Sequence, residues 1–160
     1  MIDPDVRAAA PDDAAALAPL EVAARSALVG TRGGDRWLDE HPEIADGWTA
    51  RIAAGGVFVA VVSVEASSSG APGAEVVVGY LAASLRPGPV PVAMIEQVYI
   101  DPDARELGFG DALLAAAMEY GRAGGARLIE AHTLPGDRDL KNLYERAGVT
   151  ARLITVSRPL

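Results

Sequence analysis

From position 92 to position 120 the sequence passes from an apolar strand pattern through a glycine turn into a helix pattern. Val92 to Ile100 reads as the strand, Asp111 to Tyr120 as the helix, and Arg105-Glu106-Leu107-Gly108-Phe109-Gly110 holds the turn between them. Glycines let a backbone turn tightly and come close to a ligand. The first N–H groups of a helix have no partner inside it, and the helix dipole adds partial positive charge at the same end. A strand, a glycine turn and a helix in this order therefore make a cradle for a phosphate group.

Two common versions of such a cradle do not fit. A dinucleotide fingerprint has three glycines as G-x-G-x-x-G early in a βαβ unit. Here there are two, late in the chain and after a hairpin. A P-loop needs Gly-Lys-Ser/Thr, which is absent. Nucleotide, dinucleotide and coenzyme A remain open at this point, as does a tight turn with no ligand.

The 160 residues suit one domain with one sizeable core, and half of them are apolar. No apolar run approaches the roughly 20 residues of a membrane span. The acidic start Met1-Ile2-Asp3-Pro4-Asp5 lacks the layout of a signal peptide, so a cytoplasmic protein is expected. A net charge of −8 argues against binding nucleic acid through neutralised phosphates. It leans toward cationic small molecules, although solubility alone accounts for an acidic surface. The absence of cysteine excludes disulfides, thiolate metal sites and a Cys nucleophile. His41 and His132 stand far apart without ligand-spaced partners, so no metal site is expected.

Along the chain, Val6 to Ala9 reads as a first strand and Ala14 to Val29 as a helix started by Pro11-Asp12-Asp13. A second helical stretch runs from Asp35 to Ala54 across Pro42. If it survives the proline, Trp37, His41 and Trp48 share one face, a stripe that suits a core better than a ligand pocket. Val57 to Val64 reads as a buried strand, Ala66 to Ala74 as a Ser/Gly/Pro loop, and Val76 to Leu85 as the returning strand of a hairpin. After the glycine loop and its helix come a strand from Arg127 to Thr133, a short helix from Pro135-Gly136-Asp137 to Gly148, and a last strand from Thr150 to Ser157.

At this point the chain resembles the GNAT superfamily of acyl-CoA-dependent N-acetyltransferases. Glu96-Gln97-Val98-Tyr99-Ile100-Asp101-Pro102 is similar to the family's central strand and the proline after it. Arg105 to Gly110 fits its pyrophosphate-binding R-x-x-G-x-G motif. Leu143-Tyr144-Glu145-Arg146-Ala147-Gly148-Val149 is similar to its late L-Y-x-x-x-G-F helix ending. The order of elements agrees over nearly the whole chain. Departures fall at Glu106 and Leu107, where members often have a small or basic residue, and at Asp137, where many have asparagine.

The resemblance implies a single domain over residues 1–160 of mixed α/β (α+β) class. Its sheet would be mostly antiparallel and flanked by helices, with the central strand pair splayed at the cofactor site. It implies acetyl-CoA as the acyl-donor co-substrate and the primary amine of a small molecule or peptide as acceptor. No metal, nucleic acid or membrane is expected to take part; dimers are common in the family. Arg105 and the backbone of Leu107, Gly108, Phe109 and Gly110 would hold the pyrophosphate, and a backbone N–H freed by a bulge in the central strand, around Val98, Tyr99 and Ile100, would donate to the thioester oxygen.

Tyr144 stands at the family's tyrosine position as general acid; a phenol is protonated at pH 7 and can donate to a leaving thiolate. Glu96 is the candidate base. An unpaired carboxylate among apolar strand residues is costly to bury, so it lines a solvent-filled cleft or points outward. Without cysteine, direct transfer in a ternary complex is expected. An acyl-CoA sensor acting through a protein partner is the alternative; it would lack the proton-handling residues.

Overall fold

The computed structural model describes residues 4–64 and 73–160. Its sheet has five strands in the order β1-β2-β3-β4-β5: Asp5–Ala8, Val57–Val64, Ala74–Arg86, Val92–Ile100 and Leu128–Ala131. The first three pairings are antiparallel and the last, β4 with β5, is parallel. This is the mixed, mostly antiparallel sheet the sequence led us to expect. The helices are α1 (Ala14–Ser26), α2 (Gly34–Glu40), α3 (Trp48–Ala53), α4 (Phe109–Ala123) and α5 (Arg138–Arg146). No helix among the described residues is long and apolar enough to cross a membrane.

Strand alternation divides the apolar side chains between two cores. On one face Phe58, Ala60, Leu81, Ala83, Ile95 and Val98 pack under Phe109, Leu113, Leu114 and Ala117 of α4 and Leu143 and Tyr144 of α5. On the other, Val57, Val59, Val61, Tyr80 and Ala82 pack against Leu17 of α1 and Trp48 and Ile52 of α3. The apolar spacing of α4 explains its seat: Leu113, Leu114, Ala117 and Gly121 fall on one stripe. Around the missing side chain of Gly121 the helix closes on β4, where a Cβ would come within 2.9 Å of that of Ala93.

Two irregularities shape the middle of the sheet. In β3, Ala60 and Val61 of β2 face Gly79 and Val77, so Val78 is an extra residue. In β4, Ala82 and Ala83 of β3 face Gln97 and Ile95, so Glu96 is extra. Each is a one-residue bulge, which bends a strand and re-aims its side chains.

Two expectations are corrected, and a third lies mostly outside the described residues. The stretch from Asp35 to Ala54 is not one helix. Pro42 cannot donate an N–H, α2 ends at Glu40, and a single 3-10 turn (Ala45–Gly47) leads into α3. Trp37 and His41 therefore stack on each other at 3.5 Å on the surface, whereas Trp48 is buried edge-on to Tyr80 at 5.3 Å. The last strand, Thr150 to Ser157, does not form: residues 150–160 are exposed and join no ladder. The Ser/Gly/Pro loop at Ala66 to Ala74 lies mostly outside the described residues; Ala74 itself opens β3.

Candidate active site

The parallel pairing of β4 with β5 covers Val92 to Ile95 against Leu128 to Ala131 and stops there. Beyond it β4 continues from Glu96 to Ile100, with Val98, Tyr99 and Ile100 paired to β3 on one side and to no described strand on the other. The two strands part at the Glu96 bulge. A wedge opens whose β4 wall carries main-chain N–H and C=O groups free to bind something else. The splay was expected around Val98 to Ile100. It begins two residues earlier, because the extra residue is Glu96.

The chain leaves β4 through a 3-10 turn, Pro102–Ala104, capped by the Asp101 carboxylate, which accepts from the Asp103 N–H at 3.0 Å. Ala104 is buried there and pins the turn to the core. Glu106 then takes φ +64° and Gly108 φ +88°. Left-handed residues alternating with others turn successive N–H groups toward one concavity, a nest for an anion. Gly108 caps α4, and the first helical bond is from the Ala112 N–H to the Gly108 carbonyl at 3.1 Å. The N–H groups of Gly108, Phe109, Gly110 and Asp111 have no protein acceptor among the described residues.

Gly110 has a second role that its motif position hides. A Cβ there would meet Leu143 at 3.1 Å and Ile100 at 3.3 Å, so its bareness lets α5 and β4 close on the start of α4. Phe109 is buried with its side chain in the core and Leu107 is half-exposed, so both can serve a ligand through the backbone. Arg105 sits at the mouth of the loop. Its Nε donates to the Ile100 carbonyl at 3.2 Å, and its guanidinium lies 6.0 Å from the centre of the Tyr99 ring and 3.8 Å from Asp139. Two of these contacts tie it to the wedge, and the exposed pair with Asp139 is weak enough to yield to a phosphate.

Tyr144 lies on α5 with only 5% of its surface exposed. Its hydroxyl makes no hydrogen bond to any described residue and is not among the buried polar atoms left without a partner. Burial raises its pKa far above the ordinary phenol value, and the Asp137 carboxylate adds to the effect, so it is neutral at every physiological pH. Asp137 caps α5 by accepting from the Leu140 N–H at 3.0 Å.

Glu96 differs from both expected forms. It neither stands alone in a cleft nor points free into solvent. Ser84 donates to its Oε1 at 2.6 Å and Arg51 to its Oε2 at 3.2 Å, with the side chain 34% exposed. The bulge turns it to the α1/α3 face, away from Tyr144 on the α4/α5 face.

A buried polar cluster behind the bulge escaped the sequence reading. Glu21, 1% exposed, accepts from the Ile44 and Ala45 N–H groups, the Trp48 indole and the Gln97 amide at 2.9–3.0 Å. Tyr80 donates to the Gln97 carbonyl oxygen at 2.7 Å. Gln97 follows the bulge residue, so this network ties the opening of the wedge to α1 and β3. The signal was present: Glu21 lies four residues after Leu17 on the same helix face, where an apolar residue would be expected.

The family model for the acetyltransferase (GNAT) family matches residues 22–149, which contain the wedge, the glycine loop and α5. The chain belongs to that family. As a GNAT protein it is an acyl-CoA-dependent N-acetyltransferase. Solved structures share its fold. A mutant of the BH1408 protein from Bacillus halodurans is 21% identical, with a TM-score of 0.74, over 98% of this chain and 99% of that one. AAC(6')-Iy in complex with the bisubstrate analog CoA-S-monomethyl-acetylneamine is 21% identical, with a TM-score of 0.64, over 99% and 100%. The ribosomal-protein-alanine N-acetyltransferase from Brucella melitensis biovar Abortus 2308 is 16% identical, with a TM-score of 0.63, over 99% and 98%. No curated protein sequence matches the chain.

Proposed function

We propose that this GNAT protein moves an acetyl group from acetyl-CoA to the primary amine of a small cationic molecule or peptide, directly and in a ternary complex. One observation carries the reading: the edge of β4 from Glu96 to Ile100, paired to no described strand, is followed after the Pro102–Ala104 turn by the free N–H groups of Gly108 to Asp111. An extended acyl arm fits the edge as an added strand would, and a diphosphate fits the nest and helix end. Arg105 supplies the fixed cation beside it.

The chemistry follows from where the residues stand. The amine nitrogen bonds to the thioester carbon while the carbon–sulfur bond breaks. A β4 N–H freed at the bulge stabilises the charge that develops on the thioester oxygen. Tyr144, neutral and with a hydroxyl that no described residue bonds, gives its proton to the departing thiolate and regains one from water. Glu96 takes the ammonium proton through a water molecule, exchanging the Ser84 hydrogen bond for it. The net charge of −8 favours a cationic acceptor. The aminoglycoside-derived analog in the AAC(6')-Iy complex is an acceptor of that kind.

Calorimetry with acetyl-CoA followed by thiol release across an amine panel tests this. The protein has no cysteine to give a background signal. Binding with turnover of cationic amines is expected. No binding at millimolar acetyl-CoA overturns the donor assignment, and binding without turnover of any amine leaves the sensor reading in its place.

A further inference from the structure

Four residues of β4 show where its alternation breaks. Ile95 and Val98 both belong to the core under α4 and α5. Between them Glu96 and Gln97 both turn to the opposite face, Glu96 to Arg51 of α3 and Gln97 to Glu21 of α1. Regular alternation puts residues three apart on opposite faces. Seating Ile95 and Val98 in one core therefore demands one extra residue between them. Apolar packing does not choose which: it is satisfied whether Glu96 or Gln97 lacks a partner on β3.

Hydrogen bonds make that choice. Gln97 stands opposite Ala82 in the register, and its amide is held at both ends. Its Nε2 donates to Glu21 Oε1 at 3.0 Å, and its Oε1 accepts from the Tyr80 hydroxyl at 2.7 Å. Glu21 and Tyr80 are both buried. Glu21 is fixed from behind by the Trp48 indole and by the N–H groups of Ile44 and Ala45. Ala45 sits there at φ +48°, a left-handed conformation that is costly for a residue with a Cβ. All the partners of Glu21 are neutral donors, so a buried carboxylate is an expensive way to fill this core. Two costly features thus meet at one clamp. Buried polar groups of this kind can fix a register that apolar packing leaves open.

We infer that Gln97, clamped by Glu21 and Tyr80, is a positioning residue that fixes the bulge at Glu96 and with it the main-chain N–H offered to the thioester oxygen. That role rests on the acetyl-transfer reading; the register it sets does not. A bulge moved on by one residue would pair Glu96 with Ala82 and leave Gln97 extra. The freed N–H would then shift along the strand by about 3.3 Å. A displacement of only about 1 Å can cost about 100-fold in rate. The anion nest and Arg105 follow the Pro102–Ala104 turn, outside the clamp, so binding of the diphosphate does not depend on it.

Gln97→Leu keeps the bulk and removes both hydrogen bonds. Cross-strand nuclear Overhauser contacts in the free protein are expected to place residue 97 opposite Ala82 in the wild type. In the variant they are expected to show a second register, with Glu96 opposite Ala82. Steady-state kinetics should show kcat lowered roughly tenfold or more, with acetyl-CoA affinity by calorimetry kept within about twofold. Tyr80→Phe keeps its ring in the core and opens one end of the clamp. It is expected to lower kcat by a smaller factor, and the double variant no further than Gln97→Leu alone. If Gln97→Leu does not fold, Tyr80→Phe carries the same readouts. A single wild-type register in the variant, or a shifted register with kcat unchanged, overturns the inference. A loss of acetyl-CoA affinity as large as the loss of kcat marks general damage and overturns it too. A wild type that binds no acetyl-CoA overturns the donor assignment instead, and the register comparison then decides the clamp by itself.

Discussion

At single residues, chemistry is set by what each group touches. Tyr144 combines a buried ring with a hydroxyl that no described residue bonds. Tyr144→Phe is therefore expected to lower kcat roughly 100-fold or more with the KM for acetyl-CoA nearly unchanged. Steady-state kinetics with both substrates varied separates the two effects, and equal turnover removes the residue from the mechanism. Glu106 carries two burdens at once, a left-handed φ of +64° and a carboxylate at the rim of the phosphate nest. Replacement by glycine relieves the backbone strain and removes the repulsion. Glu106→Gly is expected to tighten acetyl-CoA binding roughly two- to fivefold, in line with about 0.5–1 kcal/mol for one exposed charge. Calorimetry on the two proteins decides it, and unchanged or weaker binding means the carboxylate points away from the ligand.

Among elements, the packing of α1, α3 and β4 turns on Glu21. It satisfies four donors from three segments, the Trp48 indole buried and the Ile44, Ala45 and Gln97 groups partly so, and Glu21→Leu strands all four. A loss of about 3–5 kcal/mol is expected, given about 1–3 for each unsatisfied buried group and partial relaxation. For a chain this size that lowers Tm by roughly 10 °C, at about 2–4 °C per kcal/mol. Thermal unfolding followed by circular dichroism measures it; Glu21→Gln, which keeps one acceptor, is expected to lose less. At the start of α4, Gly110→Val forces a branched side chain into Leu143 and Ile100 and is expected to cost about 1–3 kcal/mol. Because Leu143 neighbours Tyr144, turnover should fall as well. How far such elements were legible varied with the kind of signal. The strands Val57–Val64 and Val92–Ile100 run where their apolar patterns place them, since a buried strand is specified by its own side chains. The Asp35–Ala54 stretch misled because helical spacing continues through Pro42 although the backbone cannot.

Over the whole molecule, pH stability reports on both cores. Tyr80 and Tyr144 are buried on opposite faces of the sheet, and burial raises the pKa of each well above the ordinary value. Glu21 adds to the rise at Tyr80. Above about pH 10 the unfolded chain releases these phenolic protons while the folded chain keeps them. The unfolded state then binds fewer protons, so stability holds up to about pH 10 and falls as pH rises further. Urea unfolding across that range should show the decline, and Tyr80→Phe should flatten it. At the acid end, Asp13 has a lowered pKa, chiefly from the Arg7 guanidinium, which grips it at 2.7 and 3.1 Å, with the Ala10 N–H helping. Its stabilisation is present above the ordinary carboxylate value near about 4 and is lost as pH falls below that.

The sequence alone determined the order of the five strands that form, the glycine loop before α4 and the tyrosine in the last helix. Each depends on local patterning or on a residue's intrinsic backbone freedom. The tertiary structure decided what those residues face. It placed the splay at Glu96 rather than Val98, because register is a property of two strands and the extra residue shows only against β3. It gave Glu96 its partners Arg51 and Ser84, which lie 45 and 12 residues away in the chain. It assembled the Glu21 cluster from four segments and assigned Gly110 a packing role beside the anion nest. It also left Thr150 to Ser157 outside every ladder among the described residues, since β-propensity makes a segment ready to pair but supplies no partner strand.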